Sequence, residues 1–200
     1  MKLLISPASP YVRKVRVLIR EAGHEAEVTE QLVTTTALAT DAAIPAVNPL
    51  GRIPVLILEE DRVIVDSRVI CRFLDARWGT DLYPEGRLWE VLTLEALAEG
   101  MIDSALLMAY EVRLRTEERQ WPDWVEAQWS KVARTLDTLE ADWAPRLSAP
   151  LDMGQVALAC ALGYLDFRHG TRAWREGRPR LASWEAEVAK RPSLAATRPT

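Results

Sequence analysis

The sequence predicts two domains of different class: a mixed α/β domain over residues 1–78 and an all-α domain over residues 87–200, joined by a linker at 79–86. Strand and helix signals alternate through the first stretch, which is the pattern of a sheet covered by helices. The run Gly79-Thr80-Asp81-Leu82-Tyr83-Pro84-Glu85-Gly86 then breaks every periodicity. Beyond it lie long helical patterns and no strand candidate. At 200 residues and 48% hydrophobic composition, the chain has material for two small cores.

Taken in order, Lys2 to Ile5 is a first strand, and a helix follows from about Pro10 to Ala22. Pro10 suits the first helical position, where a missing N–H costs nothing, and Ser9 is a preferred N-cap. Gly23 stops that helix. Ala26 to Gln31 reads as a short second strand. Residues 33 to 47, rich in Thr and Ala, read as a loop with a short or irregular helix. Pro54 to Leu58 and Val63 to Val65 flank a Glu-Glu-Asp turn and form a hairpin. Asp66-Ser67 caps a helix with Val69, Ile70, Phe73 and Leu74 on its core face. In the second domain the periodicity predicts helices from about Arg87 to Arg115 and Pro122 to Leu147. A third, strongly apolar one runs from Val156 to about Phe167 behind an Asp152/Gln155 capping box, and a last one covers about Leu181 to Lys190, ended by Arg191-Pro192-Ser193.

Composition excludes several functions. A net charge of −4 with interspersed signs gives no footprint for nucleic acid and no polybasic membrane patch. There is no long apolar leader and no apolar run near about 18 residues, so neither a signal peptide nor a membrane span is expected. Cys71 and Cys160 sit in apolar helical patterns and read as buried, reduced core residues. With His24 and His169 they lack metal-ligand spacing, so no metal is expected. A cytoplasmic location is the default. Seven of the eight Trp lie in the second domain and read mostly as packing residues, with Trp174 in a loop-like stretch that could line a pocket.

Three segments carry chemistry. At Ser9-Pro10-Tyr11-Val12, thioredoxin-like folds place Cys-x-x-Cys; here there is no thiol, so any thiol to be activated belongs to a ligand. A helix N-terminus favours a nearby thiolate, and Ser9 reads either as its hydrogen-bond donor or as a plain cap. Asn48-Pro49-Leu50-Gly51-Arg52-Ile53-Pro54 is the second. A cis Ile53–Pro54 bond would present the Ile53 backbone to an extended peptide, although spacing alone favours an ordinary trans proline opening an edge strand. Asp66-Ser67 is the third. A helix start with a hydroxyl fits a carboxylate, with Asp66 beside it for an ammonium, or is again a cap. Together the three could hold a ligand with a thiol, a peptide-like middle and an amino-acid end, the parts of glutathione.

With these motifs, and with Glu95 to Ser104 and Arg191-Pro192-Ser193, nearly the whole chain resembles the glutathione S-transferase family, most closely its bacterial YibF-like group. The resemblance implies a thioredoxin-like N-terminal domain plus an all-α C-terminal domain and a usual homodimer. It implies that Ser9 contacts the glutathione sulfur, that Ile53 pairs with the cysteinyl unit ahead of a cis Pro54, and that Asp66 and Ser67 bind the γ-glutamyl end. Glu99 and Asp103 could reach a partner's ligand or form an exposed charged face. Three departures stand out. Asp66 replaces the usual Glu or Gln, Asp152-Met153-Gly154-Gln155 replaces a Ser/Thr-x-x-Asp box, and 33–47 has no base, leaving Arg52 nearest for the glycine carboxylate.

The implied activity is attack of the glutathione thiolate on a small apolar electrophile, which would lie near Tyr11, Met101, Leu106 and Tyr110. The alternative is a non-catalytic binding or regulatory member. Ser9 in place of Cys weakens a third reading, disulfide reduction.

Overall fold

The computed structural model describes residues 1–200, apart from the Glu60 side chain. The chain divides into two units, Met1–Gly86 with Pro192–Thr200, and Arg87–Arg191.

The first unit is built on a four-stranded sheet of β1 (Lys2–Ile5), β2 (Thr29–Leu32), β3 (Val55–Ile57) and β4 (Val63–Val65), in the order β2-β1-β3-β4. β1 pairs parallel with β2 and antiparallel with β3, and β3 pairs antiparallel with β4. The parallel pair needs a crossover, supplied by α1 (Pro10–Glu21); α2 (Ser67–Trp78) packs against it. Alternation along β1 explains how both sheet faces are filled, since Leu3 and Leu4 point opposite ways and are both buried. On one face Leu4 and Val55 cluster with Val33 and Ile44. These last two come from residues 33–47, where the sequence suggested a short helix. The segment instead runs as turns with one Thr35–Thr40 bridge, anchored by Ile44, which is fully buried. Arg16 and Arg20 of α1 both reach Glu30 at 3.0 Å, strapping the edge strand β2 to the crossover helix.

The domain boundary differs from the sequence expectation in two places. Residues 79–86 and the last nine residues both belong to the first unit. Pro192 opens a short helix, α7 (Pro192–Ala195), instead of only ending the one before it. It packs on α1: Leu194 is 1% exposed, its carbonyl accepts from Arg13 Nη2 at 3.1 Å, and the Ser193 hydroxyl donates to Glu21. Nothing in the 192–200 stretch distinguishes a returning strap from a tail by sequence alone.

The second unit comprises α3 (Leu88–Leu114), α4 (Pro122–Thr138), α5 (Met153–His169) and α6 (Pro179–Val188). α3 and α5 form its centre. Their close approach is permitted by Gly154, where a Cβ would lie 2.9 Å from both Leu94 Cβ and the Val91 carbonyl. α4 was expected to continue to Leu147. It ends at Thr138 and gives way to a π-turn at Leu139–Trp143 and a 3₁₀ segment at Ala144–Ser148. The break has a tertiary use: Glu140 turns outward and accepts the Arg180 and Leu181 N–H groups at 3.1 and 2.8 Å, capping α6 from outside.

Asp152 caps α5 as expected, accepting the Gln155 N–H at 3.0 Å. Gln155 does not reciprocate; its amide donates to the Ala149 carbonyl at 3.3 Å, so the box is only half formed. Burial pushes the Asp152 carboxyl above the usual carboxylate range, against the pull of the Gln155 N–H, Arg87 and the Gly154 N–H. A carboxyl raised in the folded state makes the folded chain the better proton binder. Its contribution is therefore full below the ordinary carboxylate range and lost as pH rises through the raised value. Asp152→Asn keeps a good cap without the charge. Its melting temperature is expected to gain on wild type between about pH 4 and pH 7. Asp152→Ala, which strips the buried Gln155 N–H of its acceptor, is expected to lose about 1–2 kcal/mol throughout. Thermal melts of the three proteins across that range check this.

Among the eight Trp, Trp143 and Trp174 are core, and Trp174 donates its ring N–H to Asp166 at 2.8 Å. Trp89 and Trp121 are exposed, against the packing role expected for most of the eight. Cys71 and Cys160 are buried.

A candidate thiol-ligand site at one end of the sheet

Strand register brings the three chemical segments together. Leu4 pairs with Val55 and Val55 with Val65, so these residues form one row across three strands. Just past that row β1 runs out toward Ser9, β3 is entered through Ile53-Pro54, and β4 runs out into Asp66-Ser67. All three therefore emerge at the same end of the sheet. Ile5 pairs with Leu32, so the loop that starts at residue 33 leaves from that end too.

Ser9 has the extended backbone of an N-cap (φ −82°, ψ 120°), and its Oγ accepts the Val12 N–H at 3.3 Å. That bond fixes the hydroxyl at the helix start and uses a lone pair, leaving the O–H proton to donate elsewhere. Ser9 is half-buried, as is Tyr11.

The Ile53–Pro54 bond is cis, not the trans form that spacing alone favoured. Both ladders of β3 begin at Val55, so the Ile53 N–H and C=O lie outside them. The approach is shaped by Asn48, 3% exposed. Its amide donates to the Arg52 carbonyl at 2.8 Å and its oxygen accepts the Leu50 N–H at 3.1 Å. Gly51 turns the chain at φ +63°, in the left-handed region that favours glycine. Arg52 is exposed, and its guanidinium makes no hydrogen bond or ion pair among the described residues.

Asp66 caps α2 from a left-handed backbone (φ 72°) and accepts the Arg68 N–H at 2.9 Å. The Arg68 guanidinium closes on the same carboxylate, Nε to Oδ1 at 3.3 Å and Nη2 to Oδ2 at 3.4 Å. Burial works to raise the Asp66 carboxyl. The Arg68 side chain, its charge, and the Arg68 and Val69 N–H groups outweigh this and hold it below its usual value. Ser67 is 4% exposed. Arg68 is the residue that sequence reasoning missed. Residues two apart inside a helix do not face each other, but the cap lies outside the helix, and an Asp-x-Arg spacing across it is the signal that could have found it.

The proposed electrophile contacts are not equivalent. On α3, Leu106 and Tyr110 are half-buried one turn apart, whereas Met101 is 2% exposed and belongs to the core of its unit. Of the two acids considered for a partner's ligand, Asp103 is exposed but Glu99 is 7% exposed, so the exposed charged face predicted there does not include Glu99. Among the described residues no group of three or more His, Cys, Asp or Glu is placed to hold a metal ion. Among the described residues no helix is long and apolar enough to cross a membrane.

The geometry has counterparts in known proteins. Residues 8–77 match the glutathione S-transferase N-terminal domain and residues 122–187 its C-terminal domain. A GST-like protein of Escherichia coli, YibF, is 32% identical, covering 100% of this chain and 98% of its own. The chain belongs to the glutathione S-transferase family. A glutathione transferase family member from Pseudomonas fluorescens Pf-5, solved with bound glutathione, is 44% identical with a TM-score of 0.97, covering 100% of this chain and 98% of that one. A glutathione S-transferase from Methylobacillus flagellatus, solved with glutathione bound, is 34% identical with a TM-score of 0.88, covering 100% and 99%. The thioredoxin-like sheet followed by a helical domain is thus the family fold.

Proposed function

We propose that the chain is a cytoplasmic glutathione transferase that activates the glutathione thiol for attack on a small apolar electrophile. The observation that carries this is the half-buried Ser9 hydroxyl, held at the start of α1 by the Val12 N–H with its proton uncommitted. Bound glutathione in relatives 44% and 34% identical supports the ligand. Ile53 offers an N–H and C=O to the cysteinyl backbone. Ser67 and the start of α2 receive the γ-glutamyl carboxylate, and Asp66 the ammonium. Arg68 already holds Asp66, so the ligand's ammonium shares or displaces that guanidinium.

A free thiol has a pKa of about 8.5 and is only a few per cent thiolate at neutral pH. Lowering that by about two corresponds to roughly 2.7 kcal/mol of thiolate stabilisation. A charge-assisted hydrogen bond from Ser9 and the partial positive charge of the helix start have the right size together. The thiol proton leaves to solvent. The sulfur lone pair then forms a C–S bond, and a leaving group departs with its electron pair, or a conjugated acceptor takes a proton from water. Ser9 donates throughout and is never the nucleophile.

The test is thiolate absorbance of glutathione mixed with the protein across pH, followed by turnover over a panel of electrophiles. A depressed thiol pKa with turnover is expected. Binding without turnover over a broad panel would instead assign the chain a non-catalytic, glutathione-sensing role.

We also propose a homodimer. Trp89, Thr93, Ala96, Gly100, Asp103 and Leu107, spaced four and three apart, are all exposed on α3 and form one stripe. Its centre is small enough for close approach: nothing lies within 4 Å of a Cβ at Gly100. Ala96→Arg is expected to give a monomer by sedimentation velocity where wild type sediments as a dimer. An unchanged dimer would remove this stripe from the interface.

A further inference from the structure

We propose that the site reads a γ-glutamylcysteinyl thiol and leaves the third residue of the tripeptide almost unread, because residues 33–52, toward which that residue runs, carry a single cation, the solvent-exposed Arg52. This rests on the glutathione reading above.

The strand order β2-β1-β3-β4 sets the direction of the ligand. Asp66 and Ser67 stand at the β4 flank, Ile53 in the middle, and the loop leaving β2 at the far flank. A tripeptide with its glutamyl end at Ser67 and its cysteinyl backbone on Ile53 carries its third residue toward residues 33–52. Across those twenty residues the only charged side chains are Asp41 and Arg52, so that wall has no net positive charge. Several of its polar groups are also in use. Thr36 Oγ1 accepts the Leu38 and Ala39 N–H groups, Asp41 Oδ1 accepts the Ala43 N–H, and Asn48 is satisfied at both ends.

Several other cations of this unit are occupied. Arg16 and Arg20 hold Glu30, Arg68 holds Asp66, Arg72 lies over the Tyr83 ring, and Arg13 donates to Leu194. Arg62 sits at the hairpin turn, the opposite end of β3 and β4. A terminal carboxylate there meets one mobile guanidinium in water, and such exposed pairs change affinity by up to about fivefold. The glutamyl end, in contrast, meets a helix start, a buried hydroxyl residue and a carboxylate together.

Calorimetric titration of the full chain with four thiols tests this: glutathione, γ-glutamylcysteine, glutathione amidated at its glycine carboxylate, and cysteinylglycine. The first three are expected to bind within about fivefold of one another, and cysteinylglycine far more weakly. Arg52→Gln should erase the remaining difference between glutathione and its amide. A loss beyond fivefold for γ-glutamylcysteine or the amide, with glutathione still bound, overturns the proposal and leaves the glutathione reading intact. Cysteinylglycine binding as well as glutathione overturns it too, because the glutamyl end would then be unread. No binding of glutathione overturns both.

Discussion

Ser9→Ala is expected to return the thiol of bound glutathione from about 6.5 toward its free value of about 8.5 while the chain stays folded. The substitution removes the one uncommitted hydroxyl proton at the start of α1 and with it the hydrogen bond that favours the thiolate. It also removes the acceptor of the Val12 N–H, which costs about 1 kcal/mol of stability. Pro10 still opens the helix, and Val12, Val15 and Leu18 still bury their side chains. The effect on turnover is smaller than the effect on the titration. At neutral pH the thiolate fraction falls on the order of 25-fold, but the more basic thiolate that remains is a better nucleophile. A Brønsted slope of about 0.4–0.5 returns roughly 6- to 10-fold of that loss. Turnover at pH 7 is therefore expected to fall only several-fold and to recover as pH rises, a profile that a misfolded variant would not give. An unchanged thiol pKa in the variant would sink the assignment of Ser9.

The second large effect is structural. Leu194→Ala is expected to destabilise the first unit by about 2–5 kcal/mol, the range for emptying a buried leucine site. Removing residues 192–200 should do worse. Leu194 and Thr197 are each 1% exposed, and the Leu194 carbonyl is the one acceptor held by Arg13, whose Nε and Nη1 have no partner although the residue is only 6% exposed. Losing the segment opens a hydrophobic seat on α1 and strips a buried cation of its hydrogen bond. Amide hydrogen exchange resolves this by unit: protection should fall across residues 10–21 while α3 and α5 keep theirs. Equal loss in both units would refute the assignment of the segment to the first.

The parts of this molecule that were legible in sequence are those decided locally. The caps Ser9, Asp66 and Asp152 were, because a short polar side chain before a periodic run meets the orphan N–H groups of its own first turn. The β3–β4 hairpin was, because two apolar runs flank an acidic turn. That the segments of Ser9, Ile53 and Asp66 share one end of the sheet follows from the strand register. What escaped was decided by distant partners. Thr138 ends α4 because Glu140 is recruited by α6, some forty residues later. Residues 33–47 need no helix because Val33, Ile44 and Val47 cover the sheet face from turns. Glu99 is buried on a helix whose charge pattern suggested solvent. Arg68 was overlooked because its partner Asp66 had already been given a role.

The return of residues 192–200 to α1 also sets an order of events during synthesis. The sheet and its helices leave the ribosome first, yet their last packing element is separated from them by roughly a hundred residues of the second unit. At about 5–20 residues per second, the hydrophobic seat of Leu194 stays open for some 5–20 s after the rest of its unit has emerged. The first unit therefore reaches its final stability only once residues 192–200 have emerged. For that interval the nascent chain presents an apolar patch on α1, a surface that the finished protein no longer has.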